Sequence, residues 1–148
     1  MGDVKNTGLD LGLLVLRLGL GGIFIAHGVM KLLAPGGVQG FADELAKLGL
    51  PQPYWMAVAA IASELGGALL VVLGLFARLG ALSLVVVMGV AIVCVHWQNG
   101  FLLKYEWSGQ PTPHIPHGFE YCLALLTMAL CILLAGPGKF RVPVGKKD

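Results

Sequence analysis

Charge is scarce in this chain. Asp, Glu, Lys and Arg make up 12% of its 148 residues, against about 25% in an average soluble domain. The formal net charge is only +2, and the basic residues form no stripe interleaved with aromatics. That gives no footing for a nucleic-acid partner. Cysteine is sparse too: Cys94, Cys122 and Cys131 all lie in apolar runs, with no Cys-x-x-Cys among them. An intrinsic thiol–disulfide motif is therefore absent, and each cysteine reads first as a small buried hydrophobe. No Cys-x-x-Cys-His haem attachment, Rossmann fingerprint or iron–sulfur cysteine set occurs. The opening MGDVKNTGLD has no basic n-region, and position 6 is Asn6. Neither a cleavable signal peptide nor N-myristoylation is expected.

Apolar sequence fills the space that charge leaves: 57% of the residues are hydrophobic. A helix needs about 20 mostly apolar residues to cross the hydrocarbon core. Four stretches read that way: 11–33, 54–76, 79–97 and 119–135, the last closed by Gly136-Pro137-Gly138. The expectation is an all-α fold: one domain over 1–148, built as a four-helix transmembrane bundle. A very short turn around Ala77 to Gly80 makes the second and third spans antiparallel neighbours. Val38, Phe41, Ala42, Leu45 and Leu48 alternate helically with Asp43, Glu44 and Lys47. They predict a short interfacial amphipathic helix, ended by Pro51 and Pro53 before span two. The loop from Gly100 to Gly118 holds Pro111, Pro113 and Pro116 with His114 and His117, and reads as an extended crossover or a lid.

Positive charge orients such a bundle. Lys5, Arg78, Lys139, Arg141, Lys146 and Lys147 share one side. Lys31, Lys47 and Lys104 are diluted among Asp43, Glu44 and Glu106 on the other. Both termini are expected in the cytoplasm of a bacterial-type inner membrane. The aromatics Tyr54, Trp55, Trp97, Phe101, Tyr105, Trp107 and Tyr121 then mark the outer interface.

Each apolar run carries an ionisable group within it or at its edge: His27, Glu64, His96 and Glu120. Ionisable groups are costly in hydrocarbon, so each is a candidate functional residue. At 1.5 Å rise per residue, Glu64 lies within about 2 Å of its span's midpoint. His27 lies roughly 7 Å, His96 roughly 12 Å and Glu120 roughly 10 Å toward the outer side. A shared pocket is geometrically accessible to all four, with Trp97 and Tyr121 beside it. Ala59, Ser63 and Gly67, with Ala60 and Ala68, form a small-residue strip that turns Glu64 into the bundle. Gly19, Gly21 and Gly22 offer span one a similar close approach. Arg17, roughly 7 Å inward, either pairs with Glu64 or snorkels to the headgroups.

Three readings stay open for His27 and His96: a histidine satisfied by a backbone carbonyl, a donor to a quinone or other carbonyl oxygen, and a metal or haem ligand. His117 and Glu120 make a His-x-x-Glu, a weak metal signal on its own. Cys94 and Cys122 share the outer depth.

These landmarks give the chain a resemblance. LRLGLGGIFIAHGVMKLLAPGGVQGFADELAKLGLP resembles the N-terminal signature of the DoxX family of small four-helix membrane proteins. The likeness continues through AAIASELGGALLVVLGLFARLGAL, VVMGVAIVCVHWQNGF and GFEYCLALLTMALCILLAGPGKF. Arg17, His27-Gly28, Lys31, Glu64, Gly66-Gly67, Arg78, His96, Asn99-Gly100, Glu120 and Gly136-Pro137-Gly138 recur in order. The loop 100–118 departs from the pattern, being longer and richer in proline and histidine. The family takes its name from a subunit of an archaeal terminal quinol oxidase linked to thiosulfate:quinone oxidoreduction. Other members associate with membrane oxidoreductase assemblies that handle thiol stress.

The resemblance implies a quinone- or quinol-interacting subunit or accessory of a respiratory or thiol/thiosulfate oxidoreductase system. His27, Glu64, His96 and Glu120, with Arg17, Trp97 and Tyr121, are its expected binding residues. Quinone is the leading cofactor expectation, ahead of haem or a transition metal. The lipid bilayer and a protein partner subunit, or further copies of the chain, are the expected partners. Two alternatives differ in kind. One is a non-catalytic assembly or scaffold protein for a partner enzyme. The other is a metalloenzyme on the same His/Glu set, for which iron, manganese or copper would be chemically sensible.

Overall fold

The computed structural model describes residues 3–102 and 117–143. All regular elements among them are helical. Helix α1 runs Asp3–Leu33, α2 Gly37–Lys47, α3 Pro53–Leu73, α4 Ala77–Asn99 and α5 Glu120–Ala135. Helices α1, α3 and α4 are long and apolar enough to cross a membrane; α5 has 16 residues and is equally apolar but shorter.

The four long elements close into a ring in which α1 packs on α3, α3 on α4, α4 on α5, and α5 back on α1. Leu20, Phe24, Ala68, Val71, Ala81, Leu84, Leu125, Ala129 and Ile132 fill its centre. The outer face is apolar as well: Val15, Leu18, Leu82, Val86, Val93 and Leu134 are all exposed. A bundle apolar within and without, with backbone hydrogen bonds kept inside its helices, is built for lipid.

The ends of the elements follow local chemistry. Pro53 opens α3 at its first turn, where a missing N–H does no harm. Gly74 (φ +71°) closes α3 in the left-handed conformation that glycine tolerates. The α3–α4 turn therefore spans 74–76, and Ala77 to Gly80, expected as the turn, is the first turn of α4. Gly80 is a packing glycine: a Cβ there would meet the Gly67 carbonyl at 2.5 Å, so it sets how closely α3 and α4 cross.

Two wide π-type turns interrupt the long helices, at Ser63–Gly67 in α3 and at Ala91–His96 in α4. The first corrects the small-residue strip. Gly67 is buried against α4, but Ala59 is exposed. The wide turn between them shifts the helix phase, so a stripe drawn at 3.6 residues per turn does not stay on one face. In α1, only Gly21 of the three expected glycines meets α3; Gly19 and Gly22 have open space around them.

The amphipathic α2 lies against α1 and α3. Ala42 and Leu45 pack there with Ala57, Val38, Phe41, Leu50 and Met56 in a small second core. Its polar face carries a Lys47–Glu44 pair at 2.6 Å. That hydrogen bond holds the Lys47 ammonium pKa above its ordinary value.

The end at which α1 begins and α5 finishes is sealed by Arg17. Its side chain is fully buried. Nε donates to the Val71 carbonyl at 2.7 Å and Nη2 to the Val72 carbonyl at 2.7 Å. Nη1 donates to the carbonyls of Pro137 at 2.7 Å and Phe140 at 2.6 Å. Val71 and Val72 belong to the last turn of α3, whose carbonyls carry the negative end of the helix dipole; the Val71 carbonyl also accepts the Gly74 N–H at 3.2 Å. Arg17 therefore neither pairs with Glu64 nor snorkels. It clamps the α3 terminus to the segment after α5. Asp10 completes the seal by accepting the Lys139 backbone N–H at 2.9 Å.

Candidate ligand pocket and its family

The pocket lies toward the other end of the bundle and begins with a glycine. Gly28 of α1 packs directly on Leu65 and on the Cβ of Glu64 in α3. Helical side chains lean toward the helix N-terminus, so Lys31, nearly one turn beyond Gly28, reaches back over Glu64. Its ammonium forms a salt bridge with Glu64 Oε1. The Phe41 ring of α2 lies 4.8 Å from the same ammonium, a cation–π contact. Glu64 is 2% exposed, and its Oε2 has no hydrogen-bond partner among the described residues.

His27 sits one helical turn before Lys31 on the same face, with its ring centroid 6.3 Å from that of Tyr121. On α4, the π-type turn ends on His96, whose Nδ1 lies 2.9 Å from the His117 carbonyl. A carbonyl only accepts, so Nδ1 carries the proton in this bond. Asn99 also donates to that carbonyl, at 3.2 Å.

These groups line one cavity of about 660 Å³. Phe24, Met88, Ala91, Val95 and Leu125 supply its apolar wall, and Phe41, Leu45 and Leu48 of α2 cover one side. His27, Lys31, Glu64, His96, His117 and Tyr121, together with the exposed Glu44–Lys47 pair, are its polar lining. This is the size and character of a small-molecule site: mostly apolar, with a few converging polar groups.

The structure thus brings His27, Glu64, His96 and Tyr121 to one cavity, and leaves three expected residues elsewhere. Arg17 is at the opposite end. Trp97 is exposed and stacks on Phe119 at 5.4 Å. Glu120 is half-buried at the start of α5, its N–H bonded to the Phe101 carbonyl, and is not among the lining residues. Helix α5 begins at Glu120, so His117 precedes it, and the His-x-x-Glu does not share a helix face.

Among the described residues, no three His, Cys, Asp or Glu side chains gather as a metal-ligand group. Glu64 is instead committed to Lys31, so the residues do not fit the metal site weighed above. All three cysteines are free; Cys122 is buried at the cavity, Cys94 half-buried, and Cys131 exposed on the outer face instead of buried. The loop expected as crossover or lid falls mostly on residues 103–116, outside the described ones. So do Tyr105 and Trp107.

Sequence reasoning missed Lys31 as the partner of Glu64. Levelling the midpoints of spans one and two set Leu65 beside Gly22. The observed crossing sets it beside Gly28, a slip of about six residues or roughly 9 Å. The signal was present in His27-Gly28 and Lys31, a glycine for close approach flanked by two polar residues one turn apart.

The order of these landmarks along the ring can be set against known proteins. The DoxX family profile matches residues 12–97, which hold α1 through most of α4. The chain belongs to the DoxX family. Inner membrane protein YphA of Escherichia coli (strain K12) is 35% identical over 127 residues, covering 85% of this chain and 84% of YphA. No solved structure matches. Together with the apolar outer surface, these findings make the chain a DoxX-family membrane protein.

Proposed function

We propose that this DoxX-family protein holds a quinone or quinol headgroup in the cavity between its helices, as the quinone-facing subunit or accessory of a respiratory or thiol/thiosulfate oxidoreductase system. The observation that carries the reading is the convergence of His27, His96, Tyr121 and the Lys31–Glu64 pair on one apolar cavity. A quinone headgroup asks for apolar walls around its ring and tail, with polar groups at its two oxygens. Its redox chemistry moves two protons with two electrons. Histidine and carboxylate groups are suited to hold and pass those protons. The sequence carries no electron-carrier motif of its own, so the electrons belong to a partner.

In this reading α5 is the fourth span. The positive charges at Arg78, Lys139 and Arg141 support an orientation with the Arg17 end in the cytoplasm and the cavity toward the outer leaflet.

The test is mass spectrometry of the lipid extract from gently purified protein, with an absorption spectrum of the same sample and a quinone titration in lipid nanodiscs. Copurifying or saturably bound quinone supports the reading, and His27→Ala should weaken the binding. Protein that carries no quinone and binds none refutes it. Protein that then copurifies stoichiometrically with an oxidoreductase would point to the scaffold alternative.

A further inference from the structure

We infer that the Arg17 end of the bundle carries a second site, for the phosphate headgroup of an anionic phospholipid. It is separate from the cavity described above and independent of the quinone reading. An open cavity of about 890 Å³ lies there, between the α3–α4 turn and the segment after α5. Three exposed cations line it: Arg78 from the first turn of α4, and Lys139 and Arg141 from the segment after α5. None of the described residues that line it is acidic.

The chain does not neutralise these charges. Among the described residues, neither Arg78 nor Arg141 has a carboxylate partner. The nearby Asp10 serves Lys139, accepting its backbone N–H and standing 3.8 Å from its ammonium. Arg78 gives one long hydrogen bond, 3.3 Å, to the Leu134 carbonyl. The Arg141 side chain gives none among the described residues. The cations nonetheless stand on a fixed frame. Arg17 holds the Pro137 and Phe140 carbonyls, and the Val142 N–H donates to the Leu73 carbonyl at 3.0 Å. Gly74 leaves room for the tail to cross, since a Cβ there would meet Arg141 Cβ at 2.7 Å. Unneutralised guanidinium groups on a pinned backbone suit a phosphate.

The rim decides what carries that phosphate. Phe76 and Leu79 line the same cavity and are 70% and 62% exposed. Phe76 stands at φ +46°, a conformation uncommon for a bulky residue. A free phosphate gains nothing from these apolar groups. A phospholipid sets its phosphate on the cations and its glycerol and chains on Phe76 and Leu79. The chains then follow the exposed face of α4 along Leu82 and Val86. Phosphate headgroups line both leaflets, so the site serves whichever way the bundle is oriented.

The experiment is native mass spectrometry of the whole protein in mild detergent. It is titrated with phosphatidylglycerol, with phosphatidylcholine of the same chains, and with inorganic phosphate. Phosphatidylcholine keeps the phosphate and chains but adds a quaternary cation that a basic site repels. Phosphatidylglycerol should bind saturably, one per chain, about fivefold or more tightly than phosphatidylcholine, and equimolar inorganic phosphate should not displace it. Arg78→Gln with Arg141→Gln should erase the preference, whereas Lys47→Gln, at the other end, should leave it intact. If the double variant does not fold, Arg141→Gln alone, which breaks no side-chain bond among the described residues, should reduce the preference. Equal binding of the two lipids, or a preference that survives these arginine changes, overturns the site. Displacement by inorganic phosphate marks a free-anion site and overturns the lipid assignment.

Discussion

Replacing Arg17 by Met removes a cation the length of a helix turn from the interior of a membrane bundle, yet it should weaken the fold severely. The guanidinium makes four hydrogen bonds of 2.6–2.7 Å to carbonyls in two elements, the α3 terminus and the segment after α5. Hydrogen bonds to a charged group contribute about 1.5–3 kcal/mol each. Their sum is offset by the cost of burying the guanidinium. The exposed side of the tail segment also lets water take over at Phe140. What remains is the penalty for stranding buried partners of a lost charge, about 3–5 kcal/mol. That corresponds to a fall on the order of 10 °C in the unfolding midpoint. Arg17→Lys keeps the charge but has three donors on one nitrogen, without the planar fork that spans both elements. It should recover less than half of the loss. The assay is retention of the monodisperse species in mild detergent after graded heating, paired with limited trypsin digestion at the exposed Lys139 and Arg141. Both variants should be cut faster there, because the clamp on the tail is gone. An Arg17→Met protein within about 1 kcal/mol of the unaltered one, with unchanged cleavage, would refute the assignment of Arg17 as the clamp.

Three further outcomes follow from the packing. Lys31→Met strands the buried Glu64 carboxylate and should destabilise by about 3–5 kcal/mol, whereas Lys31→Met with Glu64→Gln should recover most of that loss; the same heating assay on both reads it. Gly80→Ala drives a Cβ into the Gly67 carbonyl and should destabilise by about 1–3 kcal/mol, while Gly89→Ala, with open space around it, should be neutral or stabilising by up to about 1 kcal/mol. Trp97→Ala removes a stack on Phe119 outside the cavity and should leave quinone affinity unchanged within twofold in the titration; a large loss would extend the site to the Trp97–Phe119 cluster.

The apolar runs made the helices legible, since length and composition alone decide which segments satisfy a bilayer. The amphipathic α2 was legible for the same reason, its spacing at Phe41, Ala42 and Leu45 being unbroken. Three features were not. The turn between α3 and α4 is set by Gly74, and Gly80, another glycine a few residues on, offers an equally good break until packing decides between them. The π-type turns at Ser63–Gly67 and Ala91–His96 have no sequence signal of their own, yet they decide which faces Glu64 and His96 share. The partner of Arg17 was illegible because it is backbone: four carbonyls from residues 71 to 140 leave no mark in the side-chain sequence. Glu64 was located correctly inside the bundle, and its cation was not, because register between antiparallel spans depends on where small residues allow contact and not on where apolar runs are centred.

Of the three buried charged residues, Asp10, Arg17 and Glu64, the two most deeply buried, Arg17 and Glu64, separate by how fully they are satisfied. Arg17 spends every nitrogen on a carbonyl of its own chain. Four of its five N–H groups are so used, and it is not in the lining of either cavity described at the two ends, so its role is to hold helices. Glu64 spends one oxygen on Lys31 and none of the second, beside a cavity large enough for an aromatic headgroup. A half-satisfied buried carboxylate is a poor structural element, since an apolar residue of the same shape would be nearly neutral or better. Its place at a wide helical turn, beside a cavity that His27 and His96 also line, suits the ligand-binding role proposed above. The Arg17 clamp fixes α1, α3 and the tail against one another. The far end is thereby left as the place where helices can be spaced around a guest without loosening the bundle.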